Sequence, residues 1–243
     1  MIKSHTSRAR RRALSAAAAV LFCLPAAFAQ KADQKRFDAA ERRAGKAVKV
    51  LADLSALPQA ESIPRELLAR ARAVAVFPDV DKMNLLSVKF MKGSGLVSRR
   101  VEGGWSAPAF YGFAVSDRGW TRFKSDEPGV IMLFMDDALF KKDGIKLVAE
   151  EGPVGELTPE KEKRIEGAGV LAYALSEGRL RGVSVEDDNT TQTGINSDNN
   201  VNKAVYGLKA REVLAGKEPA APQAPAPPSL AEFRTALSAL TKQ

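Results

Sequence analysis

Apolar residues at Phe37, Ala40, Ala44, Val48 and Leu51 recur at the three-to-four spacing of one helical face. The spacing predicts a helix over 32–57. Lys35, Arg42, Lys46 and Lys49 project from its opposite side, with Arg36 and Arg43 on the flank. Pro58 ends it, because proline cannot donate the next helical hydrogen bond. A second helix starts near Ser62 with Pro64 in its first turn and runs through Leu67 and Leu68 to about Arg72.

The period then changes. Val74 to Phe77 is a short apolar run closed by Pro78, which suits a buried strand. Further strands are expected at Leu85 to Met91, Gly95 to Val101, Phe110 to Val115, Trp120 to Phe123, Val130 to Met135 and Ile145 to Ala149, with turns rich in Gly, Pro, Asp and Ser. Asp136-Asp137 suits the cap of a brief helix through Phe140, and Thr158-Pro159 opens a polar helical turn. Val170 to Leu175 and Leu180 to Val185 read as a hairpin around Glu177-Gly178, and Val201 to Leu214 as broken helix. Helices at both ends of such a strand series predict an α+β fold: a bent antiparallel β-sheet or partly closed barrel flanked by N-terminal and C-terminal helices.

Both termini differ from this middle. Residues 218–228, EPAAPQAPAPP, read as a stiff extended linker. Beyond them Ser229 and Glu232 have capping-box spacing, and Leu230, Phe233, Leu237 and Leu240 recur at helical spacing. One short amphipathic helix is expected over 229–243. It either docks on its own domain or binds a partner. At the other end, Lys3, Arg8 and Arg10 to Arg12 precede an apolar run from Ala13 to Leu24, and Ala27-Phe28-Ala29 fits small-x-small cleavage. Residues 1–29 therefore read as a signal peptide cleaved after Ala29. The product would be periplasmic or secreted, with one domain over 30–217.

That cleavage changes the available chemistry. The one histidine, His5, and the one cysteine, Cys23, leave with the signal. Cys-His catalysis, the Ser-His-Asp triad and thiolate or imidazole zinc sites leave with them. Loss of five basic and no acidic residues takes the formal net charge from +8 to +3, which weakens any case for nucleic acid. No cofactor and no metal site is implied.

Two basic sets remain as candidate ligand sites. The first is Lys35, Arg36, Arg42, Arg43, Lys46 and Lys49 on the N-terminal helix, which suits an anionic membrane surface. The bland alternative packs the apolar stripe in the core and leaves the lysines solvated. The second set is Arg99, Arg100, Arg118, Arg122 and Lys124, which would converge if the flanking strands pair. Its alternative is protection of a sheet edge. Trp105, Phe110 and Tyr111 suit a core, whereas Trp120 lies between arginines as interfacial tryptophans do. The acidic stretch 186–200 offers oxygen ligands but lacks EF-hand spacing, so a polar loop fits it better. Asp136, Glu150 and Glu151 are the carboxylates a hydrolase reading would use. No Walker loop, Rossmann fingerprint or nucleophile elbow is present.

Several stretches carry a family resemblance. They are Ser62-Ile-Pro, Leu67-Leu68, Ala71 to Pro78, Gly95-Leu-Val-Ser-Arg, Gly103-Gly-Trp-Ser-Ala-Pro-Ala-Phe, Val130 to Asp137, Gly152-Pro-Val-Gly, Gly182-Val-Ser-Val-Glu, and Asn202 through Tyr206-Gly207. In this order, from about Lys35 to Gly216, the chain resembles the SYLF domain family, of which it looks like a divergent bacterial member. It departs from the family's glycine-rich runs at 82–92 and 118–128, and has Ser176-Glu-Gly-Arg in place of Ser-Lys-Gly-Leu. The resemblance implies binding of anionic phospholipid through an N-terminal amphipathic helix and a basic patch. Actin binding belongs to eukaryotic members and is not carried over. The expectation is an exported, non-catalytic lipid-binding module. The alternative is a cell-envelope scaffold that works through its C-terminal tail.

Overall fold

A computed structural model describes residues 33–85, 88–116, 129–137, 144–185, 194–217 and 226–242. The expected signal peptide, the strand at 120–123, the loop at 186–193 and the linker at 218–225 lie outside the described residues. So do Arg118, Arg122 and Lys124.

Helix α1 covers residues 33–55. Its stripe is sealed into the core, with Ala40, Ala44, Ala47 and Leu51 fully buried and Leu54 nearly so. Phe37 and Val48 are half-buried against the same core. Helix α2, Arg65–Arg70, follows Pro64 and buries Leu67 and Leu68.

Ten strands form one curled sheet: β1 Ala73–Leu85, β2 Val88–Val101, β3 Gly104–Trp105, β4 Ala109–Ser116, β5 Gly129–Phe134, β6 Gly144–Lys146, β7 Glu150–Glu151, β8 Val170–Ser176, β9 Arg179–Val183 and β10 Gly194–Ser197. The main order is β6-β10-β4-β2-β1-β5-β8-β7, with β3 on β2 and β9 on β8. Pairing is antiparallel except for β7 on β8, which is parallel, so the sheet is mixed. Helix α3, Pro159–Arg164, starts at Thr158, whose hydroxyl accepts the Lys161 N–H. Helices α4, Asn199–Tyr206, α5, Ala210–Leu214, and α6, Pro228–Lys242, complete the chain.

The expected strand ending at Pro78 in fact runs through it to Leu85. The register with β2 slips between Val76 and Asp79, and pairing with β5 stops at Phe77. Proline has no N–H to donate, and it sits where neither ladder needs one. The expected strand from Leu85 to Met91 is instead a hairpin, in which Leu85 pairs with Val88. At the slip β1 leans onto β2. A Cβ on Gly95 would lie 2.1 Å from the Val76 carbonyl oxygen, so only glycine fits there.

β6 and β7 stand at opposite ends of the strand order, yet only Leu147, Val148 and Ala149 separate them. Such a connection spans no more than about 14 Å. The two margins must therefore curl toward each other, and residues 144–151 bond to β10 at one end and β8 at the other. The result is a half-barrel with helices from both termini packed on it, as the α+β reading expects.

Candidate functional site

On α1, Lys35, Arg42, Lys46 and Lys49 fall on one side of the helix, away from the buried stripe, and all four are exposed. Fourteen residues separate the first from the last, a rise of about 21 Å. Two of the four hold carboxylates. Lys46 donates to Asp79 at 2.6 Å and Lys49 to Asp53 at 2.8 Å, both in exposed pairs. Lys35 and Arg42 make no ion pair among the described residues. Exposed pairs of this kind contribute roughly 0–1 kcal/mol and exchange readily for another anion.

The two flanking arginines behave differently. Arg36 bonds to Asp33 within its own helix at 2.8 Å. Arg43 turns inward: its guanidinium lies 3.4 Å from Asp198 and 5.6 Å above the Phe110 ring, and only 17% of the side chain is exposed. Asp198 also caps α4, so Arg43 ties α1 to the head of that helix.

Of the second basic set, the described members Arg99 and Arg100 do not join the first. Arg99 pairs with Ala73 and Lys46 reaches Asp79, six residues along β1, which is about 20 Å of strand. Neither Arg99 nor Arg100 protects a sheet edge, because β2 lies inside the strand order. Arg99 reaches Asp137 at 3.1 Å. Arg100 donates to the carbonyls of Leu68 and Ala71 at 3.3 and 3.2 Å, which satisfies the open end of α2, and stacks 4.5 Å over Trp105. Burial, followed by the charge of Arg72, draws its pKa below that of a free guanidinium.

The aromatic signature is scaffold. Trp105, Phe110 and Tyr111 are all buried. The Ser98 hydroxyl donates to the Ser106 carbonyl at 2.7 Å, and the Ser106 hydroxyl accepts the Arg99 N–H. Asn202 accepts the Phe110 N–H at 2.8 Å and donates to the Phe110 and Asp198 carbonyls. The Tyr206 hydroxyl donates to the Pro108 carbonyl at 2.7 Å. Two of the family-like strings, around Trp105 and Asn202, thus staple α4 to the start of β4.

Helix α6 is docked on its own domain. Leu230, Phe233, Leu237 and Leu240 are buried, and the helix packs against α2 and β3. The Ser229 hydroxyl donates to the Glu41 carbonyl of α1 at 3.4 Å, and the Trp105 indole N–H to the Thr241 hydroxyl at 3.1 Å. A separate cleft of about 410 Å³ lies beside α3, lined by Arg70, Glu162, Lys163, Ile165 and Leu171 among others. Its Arg70 is already held by Glu162 at 2.9 Å. Asp136, Glu150 and Glu151 are exposed and do not line it. No group of metal-ligating side chains forms among the described residues, and no described helix is long and apolar enough to cross a membrane.

Residues 130–240 match the family model described as Ysc84, Las17-binding protein actin regulator. That stretch is similar to the SYLF domain family. SYLF domains form a family of binding modules, associated with lipid and with protein interaction. The matched stretch runs from β5 through α6, so it includes the helix beyond the Pro/Ala segment. No curated protein and no solved structure matches the chain.

Proposed function

We propose that this protein is a non-catalytic module that binds anionic phospholipid surfaces outside the cytoplasm, through the outward cationic stripe of α1. The observation that carries the reading is the split within that helix. Its apolar side is consumed by the core, while Lys35, Arg42, Lys46 and Lys49 face solvent along about 21 Å. Contact is therefore electrostatic headgroup capture rather than insertion, each cation contributing about 1 kcal/mol at an anionic surface. The carboxylates that hold Lys46 and Lys49 are exposed and give way to lipid phosphate. Arg43 supports that helix from within, through Asp198 at the head of α4. The buried apolar side of α6 argues against the tail as a free protein-binding segment.

Co-sedimentation with vesicles tests the reading. Vesicles containing phosphatidylglycerol should retain the protein at 50 mM salt and release it at 500 mM, since the screening length falls to a few ångströms. Equal retention on phosphatidylcholine vesicles, or binding indifferent to salt, would overturn it.

A further inference from the structure

The cleft beside α3 shares no residue with the cationic stripe of α1, and the lipid reading gives it no role. Its volume, about 410 Å³, is that of a small-molecule site. It opens where the ends of α2 and α3 meet the end of the sheet. The floor is apolar. Leu171 is fully buried there, and Met135, Ile165 and Ala168 are half-buried against the same core. The Met135 N–H donates to the Gly169 carbonyl at 2.8 Å, which fixes this floor at the joint of β5 and β8. Gly167 turns the chain at the lip with a φ of 77°, and a Cβ built on it would meet nothing within 4 Å, so that side stands open. No described lining residue is aromatic, and the floor side chains carry no hydrogen-bonding group strong enough to orient a polar body. Such a floor suits an alkyl chain.

The rim is charged. Arg70 holds Glu162 at 2.9 Å, and more than half of each side chain is exposed. The mouth thus already binds one carboxylate, in a pair weak enough to exchange for another. Arg70 offers an incoming carboxylate its forked donors. Lys163 and Glu166 line the same space, exposed and without an ion pair among the described residues. Arg72, two residues beyond Arg70, is exposed and unpaired on the same terms, and its N–H donates to the Phe134 carbonyl beside Met135. Unpaired cations at this mouth therefore outnumber unpaired carboxylates, which favours an anionic head group over a cationic one.

We propose that the cleft holds a single-chain carboxylate, a free fatty acid of medium length, with its chain on Met135, Ile165, Ala168 and Leu171 and its head group on Arg70 and Lys163. The site does not depend on the lipid reading of α1.

Calorimetric titration of the full-length chain with sodium decanoate, sodium octanoate and decyltrimethylammonium, each below its micelle concentration, tests it. Decanoate should saturate at one per chain. Octanoate should bind roughly tenfold more weakly, for the loss of two buried methylenes. The cationic amphiphile should bind more weakly than either. The double variant Arg70→Gln, Lys163→Gln changes only exposed side chains. It should weaken decanoate about tenfold, keep the ratio of decanoate to octanoate, and leave retention on phosphatidylglycerol vesicles as in the parent. No saturation by millimolar decanoate, binding of decyltrimethylammonium as tight as decanoate, or a double variant that binds decanoate like the parent overturns the proposal. Loss of decanoate and vesicle binding together in that variant overturns it too, because the cleft would then be part of the membrane face.

Discussion

Arg100 and Arg42 carry the same guanidinium to opposite ends. Arg100 spends its donors on the last carbonyls of α2 and its flat face on Trp105, and so holds the corner where β2, β3 and α6 meet. Arg42 stands exposed on α1 with no ion pair among the described residues. The first is valuable to the fold because it is satisfied, and the second is the one the proposed lipid reading draws on, because it is not. A positive charge in the sequence says nothing about which of these it is. The partners decide, and the carbonyls that hold Arg100 lie 29 and 32 positions away.

The contrast breaks most visibly at the stapled corner. Asn202→Ala leaves the Phe110 N–H and carbonyl buried without their side-chain partner and should cost about 3 kcal/mol of stability. Thermal melting should drop by roughly 6–12 °C, while vesicle binding of the folded fraction holds. A variant that melts like the parent would remove the staple from the account. Next is the double change Arg42→Gln, Lys46→Gln. It should weaken binding to anionic vesicles by about 2 kcal/mol, close to thirtyfold, with stability within about 0.5 kcal/mol of the parent. The reverse outcome, intact binding with a lower melting point, would exchange the roles of the two regions.

Arg100→Lys is subtler. Lysine keeps the charge but loses the forked donors and the planar stack, so about 1–2 kcal/mol of stability should go, with lipid affinity unchanged. The smallest effect concerns alkaline pH. Burial raises the pKa values of the Tyr173 and Tyr206 hydroxyls far above the usual phenol range. Raised folded values mean that the native state keeps its protons longer than the unfolded chain. Their contribution is complete below about pH 10 and fades as pH climbs through the folded values. Urea midpoints measured between pH 9 and 11 should fall. A Tyr206→Phe variant with the same slope would clear that residue of the effect.

Local periodicity made α1 and the β8–β9 hairpin legible. The hairpin falls where expected, and its turn at Glu177-Gly178 uses two left-handed residues, with φ of 50° and 70°. The broken helix over 201–214 is likewise divided as α4 and α5. The passage of β1 through Pro78 was not legible, because it depends on where two neighbouring ladders happen to lapse. Nor was the inward turn of Arg43, whose partner Asp198 is 155 residues away. The docking of α6 was only half legible. Its stripe is plain, but the seat that receives it is assembled from Trp105, α1 and α2. Exposure of the α1 cations could be read from spacing alone, because it needs only the helix and its buried face.

Residues 144–151 answer to both ends of the strand order, and this has a kinetic consequence. The segment cannot settle until β10, some fifty residues downstream, has paired with β4 and β8 has paired with β5. Contacts of such sequence separation repay their loop entropy late. Newly made chains should therefore cross a slow, collective last step, and before it two open strand margins stay exposed to neighbours.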